Sequence, residues 1–140
     1  MKILVLGCGN SKFSEDLYDA GYHNIVNVDY SSVCIAQMQE RNSEERPEMS
    51  FIVMDITDMS LFESNSFDLV VDKSTLDAIV TGADAPFKVA AILKESQRVL
   101  KVDGIFFSIS FGAPASRSMY YKKPYLSFEI NEFPIWPPDC

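Results

Sequence analysis

The sequence holds one histidine, at position 23, and three cysteines, at 8, 34 and 140, with no C-x-x-C spacing. That scarcity excludes whole classes of chemistry. A structural or catalytic metal centre needs several such ligands at short spacing, and a histidine-based triad needs a histidine beside its nucleophile. His23 stands in Gly21-Tyr22-His23-Asn24 and reads as an ordinary loop residue, so no metal is expected. An odd, scattered cysteine set argues against a disulfide framework and for reduced thiols in an intracellular, cytoplasmic protein. No apolar run approaches the roughly 20 residues of a membrane span. Met1 and Lys2 lead straight into a short apolar stretch, too short for a signal peptide. No membrane association is therefore expected. Positive charge is scarce too: 12 Lys and Arg stand against 20 Asp and Glu, a net charge of −8. A phosphate backbone requires a basic face, so nucleic acid is not an expected partner. An acidic protein suits a basic partner such as a lysine-bearing protein surface, although plain solubility explains the same charge.

What the sequence does contain is one long alternation of short apolar runs and amphipathic stretches. The 140 residues, 47% of them apolar, suit a single domain. We expect its core in residues 2–112 and a variable tail in 113–140. The organising stretch is KILVLGCGNS, Lys2 to Ser11. Ile3-Leu4-Val5-Leu6 has no polar alternation, as expected of a strand buried on both faces of a parallel sheet. Gly7-Cys8-Gly9-Asn10-Ser11 breaks it, and Lys12 to Ala20 reads as a helix. A strand, a glycine turn and a helix start suit a nucleotide-like ligand, although a tight turn alone accounts for G-x-G. The dinucleotide fingerprint fails, because its third glycine falls at Lys12. A nicotinamide-dependent dehydrogenase is therefore a weaker reading than a nucleoside-binding protein.

Three further strands end in acids. Asn24 to Val28 leads to Asp29, about 20 residues past the glycines, where this architecture binds ribose hydroxyls. Helix capping is the competing role, for which Ser31 and Ser32 are better placed. Ser32 to Asn42 reads as a helix. Met49 to Met54 is a third strand, followed by Asp55-Ile56. Asp55 can accept from an adenine amino group while Ile56 covers the ring, or it can simply form a turn. Phe67 to Val71 is the fourth strand, ending at Asp72 and followed by Lys73 and a short helix. All of these positions fall on the carboxyl edge of the sheet, where ligands of open α/β folds bind. Asp84, as cap, and Pro86 start a long helix to Leu100 with a core stripe of Val89, Ile92, Leu93, Val99 and Leu100. Lys101 to Gly104 reads as a turn into a fifth strand, Ile105 to Ser110. Ala113 to Lys123 reads as a polar linker, and alternation at Leu126, Phe128 and Ile130 predicts a sixth strand. The proline-rich stretch Phe133 to Pro138 cannot be a central strand. Trp136 within it reads as a cover for the core end, a lid or an interface anchor.

LGCGNS, VDYS, MD, SFDLVVDKSTLDAI and RVLKVDG together resemble the class I S-adenosylmethionine-dependent methyltransferases. More narrowly, they resemble the methyltransferase-like group that acts on lysines of translation elongation factor 1-alpha, with DK-x-TLDA the most specific element. The resemblance covers roughly Lys2 to Tyr121. It implies a doubly wound, mostly parallel, Rossmann-like sheet, here truncated at both ends and without strand seven. It implies S-adenosyl-L-methionine as cofactor, bound by Gly7, Cys8, Gly9, Asn10, Ser11, Asp29, Tyr30, Ser31, Asp55, Ile56 and Asp72. Asp72 and Lys73 would flank the transferable methyl group and the target amine as the catalytic pair. The implied activity is methyl transfer to a protein lysine, with elongation factor 1-alpha as the candidate substrate. Ser74 departs from the pattern, since the group usually has glycine after its D/E-K pair. The missing terminal elements motivate an alternative, an inactive binding subunit of a larger assembly. An open sheet edge at the C-terminal side is expected, for a partner to cover.

Overall fold

A computed structural model describes residues 1–112 and 114–133. Its centre is β1 (Ile3–Leu6), buried along its whole length. It pairs in parallel with β2 (Ile25–Asp29) on one side and β4 (Phe67–Lys73) on the other, and helices cover both of its faces, which is why neither face carries a polar residue. β3 (Ser50–Val53) extends the sheet beyond β2, and β5 (Leu100–Ile109) extends it beyond β4. All pairings are parallel, in the order β3-β2-β1-β4-β5.

Alternate residues of the strands feed two cores, as the two-residue period of a strand requires. Ile3, Val5, Ile25 and Val71 face α1 (Phe13–Asp19) and α2 (Ser32–Asn42), where they meet Phe13, Leu17, Ile35 and Met38. Leu4, Leu6, Val26, Val28 and Val70 face the other way, toward Val89, Ile92 and Leu93 of α4 (Ala85–Val99). Each fully buried aliphatic side chain contributes roughly 1.5–3 kcal/mol. This is the doubly wound α/β sheet that the strand spacing predicts. Strand order reverses between β1 and β4, so the chain ends after those two strands diverge and open a crevice on the carboxyl edge. The short α3 (Thr75–Ile79) begins at that crevice.

Four expectations are corrected. Leu126, Phe128 and Ile130 form no strand. The segment instead runs along α4, held by Gln97, whose Nε2 donates to the Tyr125 carbonyl at 3.2 Å and whose Oε1 accepts from Ser127 N at 2.7 Å. Its alternation has a different cause: Leu126 and Phe128 turn inward against the core while Ser127 and Glu129 face water. The expected linker contains a helix, α5 (Pro114–Tyr121), with Tyr120 and Tyr121 packed on the same core. The Lys101–Gly104 turn is present, but as a bulge inside β5. There Phe67 pairs with Leu100 and Leu69 with Ile105, so the intervening residues loop out. Asp84 occupies the cap position of α4 without a side-chain capping bond. The proline-rich residues 134–138, Trp136 among them, and Cys140 lie outside the described residues.

Candidate cofactor and substrate site

The crevice is built from the glycine turn outward. Gly7 and Gly9 have φ of +61° and +50°, backbone that L side chains adopt only with strain. Their surroundings differ. A Cβ on Gly7 would press into the Thr75 side chain, with Cγ2 at 2.7 Å, whereas one on Gly9 would meet nothing within 4 Å. Gly7 is thus packed against the protein and Gly9 faces open space, where a ligand can approach the backbone. Cys8 between them points inward and is buried. Burial, with the Asp29 charge adding to it, pushes its thiol up to about 12, so it serves as packing rather than as a nucleophile.

Asp29 ties this turn to the next loop. One carboxylate oxygen accepts from Gly9 N at 2.9 Å and the other from Ser31 N at 3.0 Å. Ser31 performs the capping, its Oγ accepting from Cys34 N at 3.2 Å. Each Asp29 oxygen keeps a further lone pair, so ribose hydroxyls can be added to the bonds already made. Tyr30 beside it is 85% exposed, free to flank a bound group. On the far side of the turn, Asn10 and Ser11 offer carbonyls to Arg41 Nη2 at 3.3 and 3.5 Å, and Arg41 Nε donates to Glu15 at 2.6 Å. Nothing in the spacing of the sequence points to Arg41, because that contact joins two helices.

Asp55 lies at the tip of the third strand. Its Oδ1 accepts from Thr57 N at 2.9 Å and Thr57 Oγ1 at 2.7 Å, a local turn that leaves its other oxygen free. Ile56 is buried in the core shared by β1 and α4. Asp72 is 1% exposed. Its Oδ1 accepts from Thr75 N and Leu76 N at 2.8 and 3.0 Å, and its Oδ2 from Ser108 Oγ at 2.6 Å. Burial raises its pKa, while those three bonds pull the other way. Tyr121, half-buried beside this network, packs against the Phe106 ring at 6.0 Å. Lys73 reaches across the crevice, its Nζ 3.4 Å from Ser11 Oγ. Beneath it lies a cavity of about 40 Å³ lined by Leu6, Gly7, Cys8, Ser11 and Phe13.

The crevice therefore brings together Gly7, Gly9, Ser11, Asp29 and Lys73, with Asp72 sealed just beneath. Besides Arg41, both Thr75 and Asp77 went unassigned in the sequence reading. Thr75 Oγ1 donates to the Leu6 carbonyl at 3.0 Å and locks the end of β1. Asp77 holds the chain beyond β5, accepting from Phe111 N at 2.9 Å. Both belong to DK-x-TLDA, so the motif marked them, but only the strand pairing reveals what they touch. Among the described residues, no group of His, Cys, Asp and Glu is arranged to hold a metal ion. The donor set fits a nucleoside-bearing cofactor: a carboxylate for ribose at Asp29, open backbone at Gly9 and a free acceptor at Asp55.

A five-stranded parallel sheet with a glycine turn at the tip of β1 and an acid at the tip of β2 is a Rossmann-like α/β architecture, the one that class I methyltransferases share. Residues 4–108 match the methyltransferase domain family model, and the chain belongs to that family. It is 51% identical over 111 residues to the eEF1A lysine and N-terminal methyltransferase of Bos taurus, a match that covers 78% of this chain and 16% of that protein. It is 36% identical over 138 residues to bovine EEF1A lysine methyltransferase 4, across 93% of this chain and 53% of the relative. The chain thus spans from about a sixth to about half the length of these relatives. Among solved structures, a Pyrococcus horikoshii protein superimposes with a TM-score of 0.66 at 34% identity, covering 76% of this chain and 47% of that one. A SAM-dependent methyltransferase from Methanosarcina mazei also gives 0.66, at 27% identity, over 86% and 57% of the two chains.

Proposed function

We propose that this chain is the catalytic core of an S-adenosylmethionine-dependent methyltransferase that modifies a lysine amine of a protein, with elongation factor 1-alpha as the first candidate. The carrying observation is the pairing of Gly9, open to the crevice, with the Asp29 carboxylate bonded to its N–H. The names of the similar bovine enzymes suggest the substrate. A cytoplasmic setting accords with such a substrate. No helix among the described residues is long and apolar enough to cross a membrane.

Bound in the crevice, the cofactor supplies a methyl group on a sulfonium, which needs no further activation as a leaving group. The protein supplies alignment and exclusion of water. Gly7 to Ser11 hold the methionine part, and Asp29 holds the ribose, with Tyr30 and Ser31 beside it. Asp55 meets the adenine amino group, and Ile56 supports that side of the crevice from the core. A lysine amine must reach the methyl group neutral. Asp72 is sealed from solvent and already accepts three hydrogen bonds, so its part is to position α3 and the tip of β5. The proton passes to water at the open mouth, where Lys73 disfavours the charged form of a neighbouring amine.

A competing reading is a subunit that no longer takes the cofactor. It is favoured by Lys73 lying across to Ser11 above so small a cavity. Calorimetric titration of the purified chain with S-adenosylhomocysteine, beside Asp29→Ala, separates the two. Micromolar binding that is lost in the variant is the expected result. A folded wild-type chain that does not bind would overturn the enzyme reading.

A further inference from the structure

The carboxylate of Asp77 gathers three contacts at the rim of the crevice. Ser110 Oγ donates to its Oδ1 at 2.5 Å and Arg117 Nε to the same oxygen at 3.1 Å, while Phe111 N donates to its Oδ2 at 2.9 Å. Three separate segments, α3, the chain beyond β5 and α5, therefore meet on one side chain. The contact is tight: a Cβ on Gly112 would lie 2.7–2.8 Å from the Arg117 guanidinium, so that arginine lies flat against the Gly112 backbone. Ser110 Oγ in turn accepts from Gly112 N at 3.0 Å. The cluster sits on the crevice edge, because Ile109, one residue before Ser110, pairs with Lys73.

Two cations stand on this part of the edge. Lys73 reaches into the crevice, and Arg117 of α5 is partly buried against Asp77, its Nε 3.1 Å from Oδ1. A lysine side chain approaching this edge arrives as a cation. The Arg117 charge opposes it unless a carboxylate at ion-pair distance cancels it, and Asp77 is that carboxylate. The same helix that carries Asp77 carries Thr75, whose hydroxyl is bound to the end of β1. Cofactor turn and substrate rim thus hang from α3 at two different residues.

We propose that Asp77 is a positioning residue that sets specificity for a cationic amine substrate, by folding the rim beyond β5 and cancelling the charge of Arg117. This rests on the methyltransferase reading above. The test is steady-state methylation of purified elongation factor 1-alpha by wild type, Asp77→Asn, Arg117→Ala and the double variant, with S-adenosylhomocysteine titrations of each. Asp77→Asn should raise KM for the protein substrate about fivefold or more, the scale of one uncancelled charge at a partly exposed site. Its affinity for S-adenosylhomocysteine should stay within about twofold, since its contacts lie away from the glycine turn. Removing Arg117 as well should return KM to within about twofold of wild type. An unchanged KM in Asp77→Asn would overturn the proposal. So would a parallel loss of S-adenosylhomocysteine affinity, or a double variant as poor as the single one. A wild-type chain that binds S-adenosylhomocysteine but methylates nothing would overturn the lysine substrate itself, and the wild-type control makes that failure distinct.

Discussion

Ser74 adopts φ 63° and ψ 6°, the left-handed region, at the junction of β4 and α3. A residue with a Cβ costs roughly 1–2 kcal/mol there. Nothing returns that cost locally: Ser74 makes no side-chain capping bond, and its backbone bonds, N to the Ile109 carbonyl and carbonyl to Ala78 N, are available to any residue. Glycine removes the strain but adds freedom to the unfolded chain, worth roughly 0.5–1 kcal/mol. Ser74→Gly should therefore stabilise the protein by about 0.5–1 kcal/mol, or roughly 2–4 °C in Tm for a chain of this size. Asn65 supplies an internal control. It also has positive φ, 56°, but asparagine tolerates this region far better than serine. Asn65→Gly should gain nothing or lose a few tenths of a kcal/mol. Thermal and urea melts of both variants decide the matter, with S-adenosylhomocysteine titration to verify that the crevice survives. If Ser74→Gly is no more stable than wild type, or gains no more than Asn65→Gly, the strain argument fails. The family resemblance and the backbone angle meet at this position: the group's usual glycine is what a left-handed junction demands.

The two glycines of the turn should separate folding from binding. Gly7→Ala drives a methyl group into Thr75 at positive φ and should destabilise the fold by about 2–3 kcal/mol, whereas Gly9→Ala meets open space and should cost only about 1–2 kcal/mol of backbone strain. Yet Gly9→Ala should weaken S-adenosylhomocysteine binding at least tenfold, by about 1.4 kcal/mol or more, read by calorimetry on the folded variant. On the acid side, a side-chain bond from Arg98 holds Glu95 below the usual carboxylate range, and the Lys2 N–H does the same for Asp68. Because both are lowered in the folded state, their stabilisation is complete above about pH 5 and is lost as pH falls through the folded values. Urea melts between pH 7 and pH 3 should show the loss, and Glu95→Gln should flatten it; an unchanged slope in that variant would remove Glu95 from the account.

Much of the fold was legible because the apolar runs are short and nearly continuous. Ile3–Leu6 is wholly apolar, and Ile25–Val28 and Phe67–Val71 are interrupted only by Asn27 and Asp68, as expected of strands covered by helices on both faces. The C-terminal third was less legible for the opposite reason. Alternation at Leu126, Phe128 and Ile130 is a signal of one buried face, and a ladder is only one way to bury it. Here an extended segment lies on α4, its backbone bonded to the Gln97 side chain instead of to another strand. Likewise α5 places Tyr120 and Tyr121 inward through a helical turn that serine-rich composition disguises. Local sequence states how much apolar surface a segment must hide, but the partner that hides it is decided by distant residues.

The strand-tip acids carry that reasoning into the site. For Asp29, Asp55 and Asp72 the sequence posed a choice between ligand contact and a local capping or turn role. The geometry shows the turn role for all three and leaves acceptor capacity at two of them. All three accept backbone N–H bonds from the loop that follows them, Asp29 from Ser31, Asp55 from Thr57 and Asp72 from Thr75. A strand that ends at a crevice must turn sharply, and its first free N–H groups need an acceptor. A carboxylate provides four lone-pair sites, so one residue can build the turn and still present an oxygen outward. What distinguishes the three is how much capacity remains. Asp55 keeps a whole oxygen, Asp29 a lone pair on each, and Asp72 is enclosed at 1% exposure. Free acceptor capacity thus falls from the tip of β3 to the tip of β4. This order suits the proposed site, which would grip a nucleoside by hydrogen bonds and leave an amine substrate to be steered by charge.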